Sequence, residues 1–124
     1  MINRNIIKVG IMSKEQYKKR TIAIARGEYI PKKDEPKIWF ESIQSMSQVL
    51  SNLNQELLKV IIEKKPQSLK ELEELTGRAA KPNLSRTLKT LERYGIVELN
   101  RVNNALVPKV KATRFSIEFR LNVA

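Results

Sequence analysis

The sequence contains neither cysteine nor histidine. Their absence excludes a disulfide framework, an iron–sulfur cluster and a zinc site built from cysteine and histidine ligands. It also excludes nucleophilic catalysis by a Cys–His or Ser–His pair. The chain has only 4 glycines, and no glycine-rich loop is present to hold a phosphate group. We therefore expect a protein that is not an enzyme and that uses no cofactor and no metal ion.

Long apolar stretches are missing as well. No run of about 18 apolar residues, the length needed to cross a bilayer, occurs anywhere in the chain. Residues 1–11 also lack the apolar core of a secretion signal. We expect a cytoplasmic protein with no membrane partner, long enough at 124 residues to bury a hydrophobic core.

Positive charge is abundant and unevenly distributed. The 24 Lys and Arg residues outnumber the 13 Asp and Glu residues, which gives a net charge of +11. Residues 1–37 carry +6, residues 38–75 carry −2 and residues 76–124 carry +7. Such an excess favours a polyanionic partner, which includes DNA, RNA and acidic proteins. Its concentration at the end of the sequence predicts a contact surface in the last third of the chain.

The beginning of the chain predicts a strand followed by a helix. Residues 5–12 (NIIKVGIM) are apolar and β-branched, which favours a strand. Ser13 and Gln16 form a capping-box pattern at the start of a helix expected over residues 14–26. Gly27 is the expected terminator of this helix, because glycine readily adopts the left-handed conformation found after helix ends.

Composition suggests where the chain divides. Residues 31–36 (PKKDEP) read as a linker. We therefore expect an N-terminal strand–helix extension over residues 1–37, suited to dimerisation, and a main domain over residues 38–124. The main domain opens with residues 37–41 (KIWFE), which fit either a short strand or an extended arm.

Three helices are predicted next, over residues 43–50, residues 54–64 and from Ser68 to Gly77. Ser68 and Glu71 form a second capping box, and Gly77 is placed to end the third helix. The residues expected to face the core are Leu57, Leu58, Ile61 and Ile62 in the second helix, and Leu69, Leu72 and Leu75 in the third.

A helix starting near Pro82 has one apolar side and one cationic side. Its leucines recur at helical spacing, and about 100° of rotation per residue places the cations opposite them. The apolar side consists of Leu84, Leu88 and Leu91, and the opposite side carries Arg86, Lys89 and Arg93, flanked by Asn83, Ser85 and Thr90. Glu92 is expected on the side towards the core. Because an ordinary exposed face mixes both signs of charge, the cationic side is predicted to contact DNA.

After Gly95 the pattern changes to period two. Residues 96–99 predict a strand, Asn103-Asn104 a turn and residues 106–121 a longer returning strand. We interpret this hairpin as a wing that contacts phosphates or a minor groove. Its basic residues are Arg101, Lys109 and Lys111, which we expect beside its tip, and Phe115, Ile117, Phe119 and Leu121 are expected to pack.

These elements predict an α+β fold, mainly α. The run SLKELEELTGRAAKPNLSRTLKTLERYGIVEL at residues 68–99 resembles the DNA-reading unit of MarR and ArsR regulators. Together with IARGEYIP at residues 24–31, PKIWFES at residues 36–42 and KATRFSIEF at residues 111–119, it resembles a narrower family of bacterial and archaeal transcriptional regulators. The resemblance implies a winged helix-turn-helix with an N-terminal strand–helix extension and a C-terminal β-hairpin wing.

The resemblance also implies functions for individual residues and for the whole chain. It assigns base reading to Asn83, Ser85, Arg86 and Lys89, and phosphate contacts at the helix entrance to Arg78 and Lys81. It implies a homodimer on double-stranded DNA, with the N-terminal strand and helix and the last strand as the interface. Members of the narrower family are often interpreted as antitoxin-like autorepressors, which implies a small toxin protein as a further partner.

Two functions from other classes stay open. A winged helix can serve as a protein-interaction module that neutralises a toxin without binding DNA. Basic charge alone also fits an RNA-binding protein, although the few aromatic residues mostly fall on apolar faces, where they cannot stack on bases.

Overall fold

The computed structural model describes residues 6–77 and 82–121, with the backbone alone for residues 82 and 83. This part of the chain contains five helices and five strands, so the fold is α+β and mainly helical, as predicted. In chain order the elements are β1 (Ile6–Ile11), α1 (Lys14–Ala25), β2 (Ile38–Phe40), α2 (Ile43–Val49), α3 (Asn52–Lys64), α4 (Leu69–Thr76), α5 (Pro82–Arg93), β3 (Val97–Val102), β4 (Ala105–Val110) and β5 (Arg114–Glu118). None of these helices is long and apolar enough to span a membrane.

The chain forms two compact units. The first contains residues 1–48 and 114–124, and the second contains residues 49–113. The boundary predicted after residue 37 differs from this division. The reason is that β2 and β5 both pair with β1, and pairing between strands far apart in the sequence leaves no mark on composition.

A parallel three-stranded sheet, in the order β2-β1-β5, lies at the centre of the first unit. Val9 of β1 is paired with Ile38 of β2 on one side and with Ile117 of β5 on the other. Side chains alternate between the two faces of a strand, so these three residues share a face with Phe40. Val9 and Phe40 are fully buried and Ile38 nearly so, which places part of the hydrophobic core on this face.

Helix α1 begins and ends where its sequence predicts. The Ser13 hydroxyl accepts a hydrogen bond from the Gln16 N–H at 3.2 Å, which caps the first turn. Arg26 is the C-cap residue of the helix, and Gly27 follows it in the left-handed conformation with φ +73°. Both ends are confirmed because each depends on residues within a single turn.

The second unit packs helices α3, α4 and α5 with the antiparallel hairpin β3-β4. Its described core consists of Leu57, Leu58, Ile61, Leu72, Leu84, Leu88, Leu91, Ile96, Val97 and Ala112. Ser68 caps α4 through its hydroxyl, 3.0 Å from the Glu71 N–H, and Gly77 ends the helix with φ +72°. The predicted capping pattern of this helix is therefore confirmed.

Two predicted core residues are exposed. Ile62 and Leu75 retain 38% and 43% of their accessible surface, whereas Ile61 and Leu72 are buried. A helix face defined by 100° per residue is broad, and only part of it contacts the neighbouring helix. Ile62 and Leu75 lie on the part of that face that is left uncovered.

The prediction of one continuous strand over residues 106–121 is wrong. The hairpin strand β4 ends at Val110, and β5 then pairs in parallel with β1 in the first unit. The alternation of apolar and polar residues continues through both strands. Such alternation shows which face of a strand is apolar but does not show which strand is its partner.

Candidate nucleic-acid interface

Helix α5 is anchored by three leucines. Leu84 is 1% exposed, and Leu88 and Leu91 are fully buried, as the spacing predicted. Gly95 follows the helix with φ +81°, and the N–H of Ile96 reaches the carbonyl of Leu91 at 2.9 Å. The apolar side of α5 is therefore held against the core along its length, and the other side faces outward.

The outward side carries exposed cations. Ser85, Arg86, Lys89 and Arg93 are all exposed. Arg86, Lys89 and Arg93 follow one another at intervals of three and four residues and cover about 10 Å of helix, at 1.5 Å per residue. Among the described residues, no acidic side chain lies within ion-pairing distance of these three cations. Their charge is available to an external anion.

One acidic residue lies beside this surface. Glu92 was expected on the side towards the core, but its side chain is exposed. It lies one turn after Lys89 without forming an ion pair with it. Glu92 lies about 80° around the helix from the leucines, at the edge of the buried stripe, and is therefore exposed. The outward side of α5 is cationic but has this one carboxylate at its border.

Two of the predicted contact residues also interact within the chain. The Thr90 hydroxyl donates a hydrogen bond to the carbonyl of Arg86 at 3.1 Å, and its side chain is half-buried. The Arg93 guanidinium lies 5.7 Å from the centre of the Tyr94 ring. Ring contact orients Arg93 without neutralising it, whereas Thr90 has its hydroxyl hydrogen directed at its own helix.

Three predicted contacts cannot be placed. Arg78 and Lys81 lie outside the described residues, and so does the side chain of Asn83. Helix α5 itself begins at Pro82, so the backbone of Asn83 belongs to its first turn.

The hairpin does not bring its three predicted cations together. Asn103 and Asn104 form the turn with φ 50° and 66°, the two-residue geometry expected for Asn-Asn. Arg101 is paired with Leu106, one pair away from the turn, whereas Lys109 is opposite Glu98. The Arg101–Leu106 pair and the Glu98–Lys109 pair are three residues apart along the strands, about 10 Å. Because three is an odd number of residues, Arg101 and Lys109 lie on opposite faces of the hairpin.

Lys111 lies still farther from the turn. It follows the end of β4, and its N–H donates to the carbonyl of Ile96 at 2.9 Å. The expectation that all three cations flank the tip is therefore wrong for Lys109 and Lys111, and only Arg101 lies near it. Distance from the turn follows from counting along the strand, and Lys109 lies five positions after Asn104.

Four cations of the first unit are paired within the chain. Lys14, Lys19, Arg20 and Arg120 each form an ion pair with a carboxylate, the closest being Arg20 to Glu35 at 2.8 Å. A cleft of about 590 Å³ in this unit is lined by three cations and three acids, namely Arg20, Lys32, Arg120, Asp34, Glu35 and Glu118. Its balanced charge makes it a poorer site for a polyanion than the outward side of α5.

Arg20 is the residue whose surroundings sequence reasoning missed. Its side chain is only 18% exposed. The guanidinium lies 5.2 Å from the centre of the Trp39 ring and 5.8 Å from that of Tyr29. No sequence signal links these three residues with Glu35, because they come from separate segments. The charge of Arg20 is used inside the unit.

Within the described ranges, no group of three acidic side chains is placed to hold a metal ion.

A comparison with protein families matches residues 49–117 to the HVO_A0114 family. The match spans the whole second unit, including α5 and the hairpin, and ends within β5. Neither a curated protein nor a solved structure matches the chain.

Proposed function

The chain belongs to the HVO_A0114 family, and we propose that it is a sequence-specific DNA-binding transcriptional regulator with a winged helix-turn-helix. In this proposal α4 and α5 form the helix-turn-helix, and the β3-β4 hairpin is the wing. The observation that carries the proposal is the outward side of α5. There Arg86, Lys89 and Arg93 are exposed without an acidic partner among the described side chains.

The dimensions of α5 suit the major groove. Its 12 residues make a cylinder about 18 Å long, at 1.5 Å per residue. The major groove of B-DNA is about 12 Å wide and admits one helix. The three buried leucines hold α5 against its own unit, so the helix can enter a groove without first being ordered.

The residues of α5 divide into two kinds of contact. Arg86 is proposed to read a base edge, because a guanidinium forms two parallel hydrogen bonds with guanine O6 and N7. Lys89, to which the resemblance assigned base reading, is proposed instead to neutralise a phosphate together with Arg93. Such contacts set affinity and position without specifying sequence. Arg101 is proposed to contact the backbone beside the helix, since it is the exposed cation near the hairpin turn.

Selection from random DNA followed by anisotropy titration tests the proposal. We expect an enriched sequence, bound more tightly by the wild-type chain than a scrambled duplex is. Arg86→Ala should weaken binding to that sequence by about 5- to 150-fold, the equivalent of about 1–3 kcal/mol, and relax preference at one base pair. Binding to the scrambled duplex should change less.

Lys59→Ala is the matched control. It removes one exposed cation from α3 in the same unit, where the lysine is paired with Glu56 at 3.7 Å, so it should leave the affinity unchanged. No enriched sequence together with no binding at low salt would contradict the proposal. Tighter binding to RNA of the same sequence would instead favour the RNA-binding alternative.

We also propose that the regulator acts as a homodimer. Two-fold dimers read paired half-sites one helical turn apart, about 34 Å. An enriched sequence with inverted repeats at that spacing would support this. A single unrepeated site of about five base pairs would contradict it.

A further inference from the structure

Strand β5 presents an open edge. The sheet order β2-β1-β5 leaves one side of β5 without a neighbouring strand among the described residues. The opposite edge strand, β2, has only three residues, and very short edge strands resist pairing with other chains. β5 has five residues and no proline, so it is longer than β2 and no backbone N–H along it is missing. Its two charged residues, Arg114 and Glu118, have opposite signs.

The apolar face of the sheet becomes exposed at this edge. Val9 on the central strand β1 and Ile38 on the other edge strand β2 are 0% and 5% exposed. Ile117, paired with Val9, is 50% exposed, and Phe119 and Leu121 beyond it are 52% and 75% exposed. The expectation that these residues of the last strand pack is therefore wrong for the isolated chain. In a single copy of the chain these apolar side chains at the β5 edge are left in contact with water.

We propose that a second copy of this chain covers the edge by antiparallel pairing of β5 with β5, centred on Ser116. This inference deepens the homodimer of the proposed function by naming its interface. In this register Arg114 of each copy lies opposite Glu118 of the other, which forms two pairs of opposite charge. Phe115 of each copy lies opposite Ile117 of the other, on the apolar face.

Other registers match the charges less well. Centring the pair on Ile117 places Arg114 opposite Arg120 of the other copy, and like charges directly opposite destabilise a sheet. Centring it on Phe115 places Glu118 opposite Ala112 and Arg114 opposite Ser116, so neither charge gains a partner of opposite sign from the other copy. The two-fold axis must also pass through a residue and not between two residues. An axis between two residues would place the apolar face of one copy on the opposite side of the joined sheet from that of the other copy.

The joined sheet has six strands, and the apolar faces of the two copies lie on the same side of it. Each copy contributes the same patch, as a two-fold interface requires. The backbone groups along the open edge of β5 gain partners, and the half-exposed Ile117 gains the Phe115 ring of the other copy as a neighbour. These two gains favour a second copy over water at this edge.

Charge-swap variants test the interface and its register. Light scattering over a concentration series should give twice the chain mass for the wild type. Arg114→Glu places two carboxylates opposite each other, and Glu118→Arg places two guanidinium groups opposite each other. Each should raise the dimer dissociation constant by about tenfold or more, since two cross-strand pairs change from attraction to repulsion. The double variant should restore dimerisation to near the wild-type level.

Lys18→Glu is the control for net charge. It makes the same charge change as Arg114→Glu at an exposed position of α1, and it should leave the dimer intact. Circular dichroism of each variant distinguishes a lost interface from a lost fold. A double variant as weak as the single ones would overturn the proposed register.

Cross-linking gives an independent readout, because the chain has no cysteine of its own. Ser116→Cys places two thiols on the two-fold axis, where opposite residues in antiparallel strands lie about 4.5–5.5 Å apart. Mild oxidation should therefore convert most of this variant to a covalent dimer. Glu56→Cys, exposed on α3, should stay monomeric in the same denaturing gel.

The outcomes separate this inference from DNA binding. A chain that is monomeric at high concentration, yet selects a DNA sequence, would overturn the β5 interface and leave the proposed function standing. A dimer that responds to the charge swaps but binds no DNA would support the interface and remove the function.

Discussion

Gly10 lies directly beneath the indole ring of Trp39. A Cβ atom added at Gly10 would overlap Trp39 Cζ3 and come within 2.9 Å of Pro36 Cγ. The ring cannot move away freely, because the guanidinium of Arg20 lies over it, 5.2 Å from the ring centre. We expect Gly10→Ala to destabilise the first unit by about 1–3 kcal/mol, the usual cost of overpacking.

Urea unfolding followed by tryptophan fluorescence measures this effect, since Trp39 is the only tryptophan in the chain. The emission of folded Gly10→Ala should also shift, because the ring itself is displaced. Gly27→Ala is a useful comparison. It places a side chain at φ +73° where no atom lies within 4 Å, so it should cost stability without changing the emission of the folded protein. Unchanged stability and emission in Gly10→Ala would contradict the close packing.

Residue-level features were predictable when their cause is local. The capping serines Ser13 and Ser68 and the terminators Gly27, Gly77 and Gly95 all depend on neighbours within about one turn. The setting of Arg20 was not predictable, since its partner Glu35 lies 15 residues away and on no shared element. The side chains that would test the base-reading assignment at Asn83 and the phosphate contacts at Arg78 and Lys81 are outside the described residues.

Helix α4 offers a comparison within a single element. Leu72 is fully buried and Leu75 is 43% exposed, although the helical pattern predicted both as core. We expect Leu72→Ala to destabilise the second unit by about 2–5 kcal/mol, which is typical of a buried leucine. Leu75→Ala should cost about 1 kcal/mol or less, because much of its side chain already contacts water.

Thermal or urea unfolding followed by far-ultraviolet circular dichroism gives both values, since helices make up most of the second unit. The identical leucine-to-alanine change on one helix cancels differences in helix propensity. Equal costs for the two variants would mean that Leu75 is covered in solution. A protein partner or a second copy that protects Leu75 would then have to be sought.

Elements were easier to predict than their partners. Helices α1, α4 and α5 and the Asn103-Asn104 turn follow from periodicity and local conformation. The destination of β5 did not follow from either, because its pairing with β1 joins residues about one hundred positions apart. Parallel strands are not joined by a tight turn, so their pairing has no local sequence signal. The sequence therefore indicated a strand in this region, but the prediction assigned it to the wrong sheet.

At the scale of the whole molecule, net charge alone conceals a difference between the two ends of the sequence. Residues 1–37 and 76–124 carry similar charge, +6 and +7. In the first unit four cations are paired with carboxylates, whereas those of α5 and the hairpin have no described acidic partner. The cations of α5 therefore remain available to an external anion, as one continuous row on one side of a helix.

This difference leads to an expected salt dependence. Each phosphate neutralised on B-DNA contributes about −0.9 to the slope of log K against log salt concentration. Arg86 reads a base in our proposal, but its charge still displaces counterions together with those of Lys89 and Arg93. Three cations on each copy of a dimer then give a slope of about −5 from α5 alone.

Anisotropy titrations from about 50 to about 300 mM salt would measure the slope. Lys89→Ala removes one contact from each copy, so its slope should be shallower by about 2 units. Lys59→Ala should keep the wild-type slope, because that lysine is already paired with Glu56. If Lys89→Ala kept the wild-type slope, Lys89 would not neutralise phosphate. If it lost only about 1 unit, a single copy of α5 would be engaged on each duplex, and the regulator would bind DNA as a monomer.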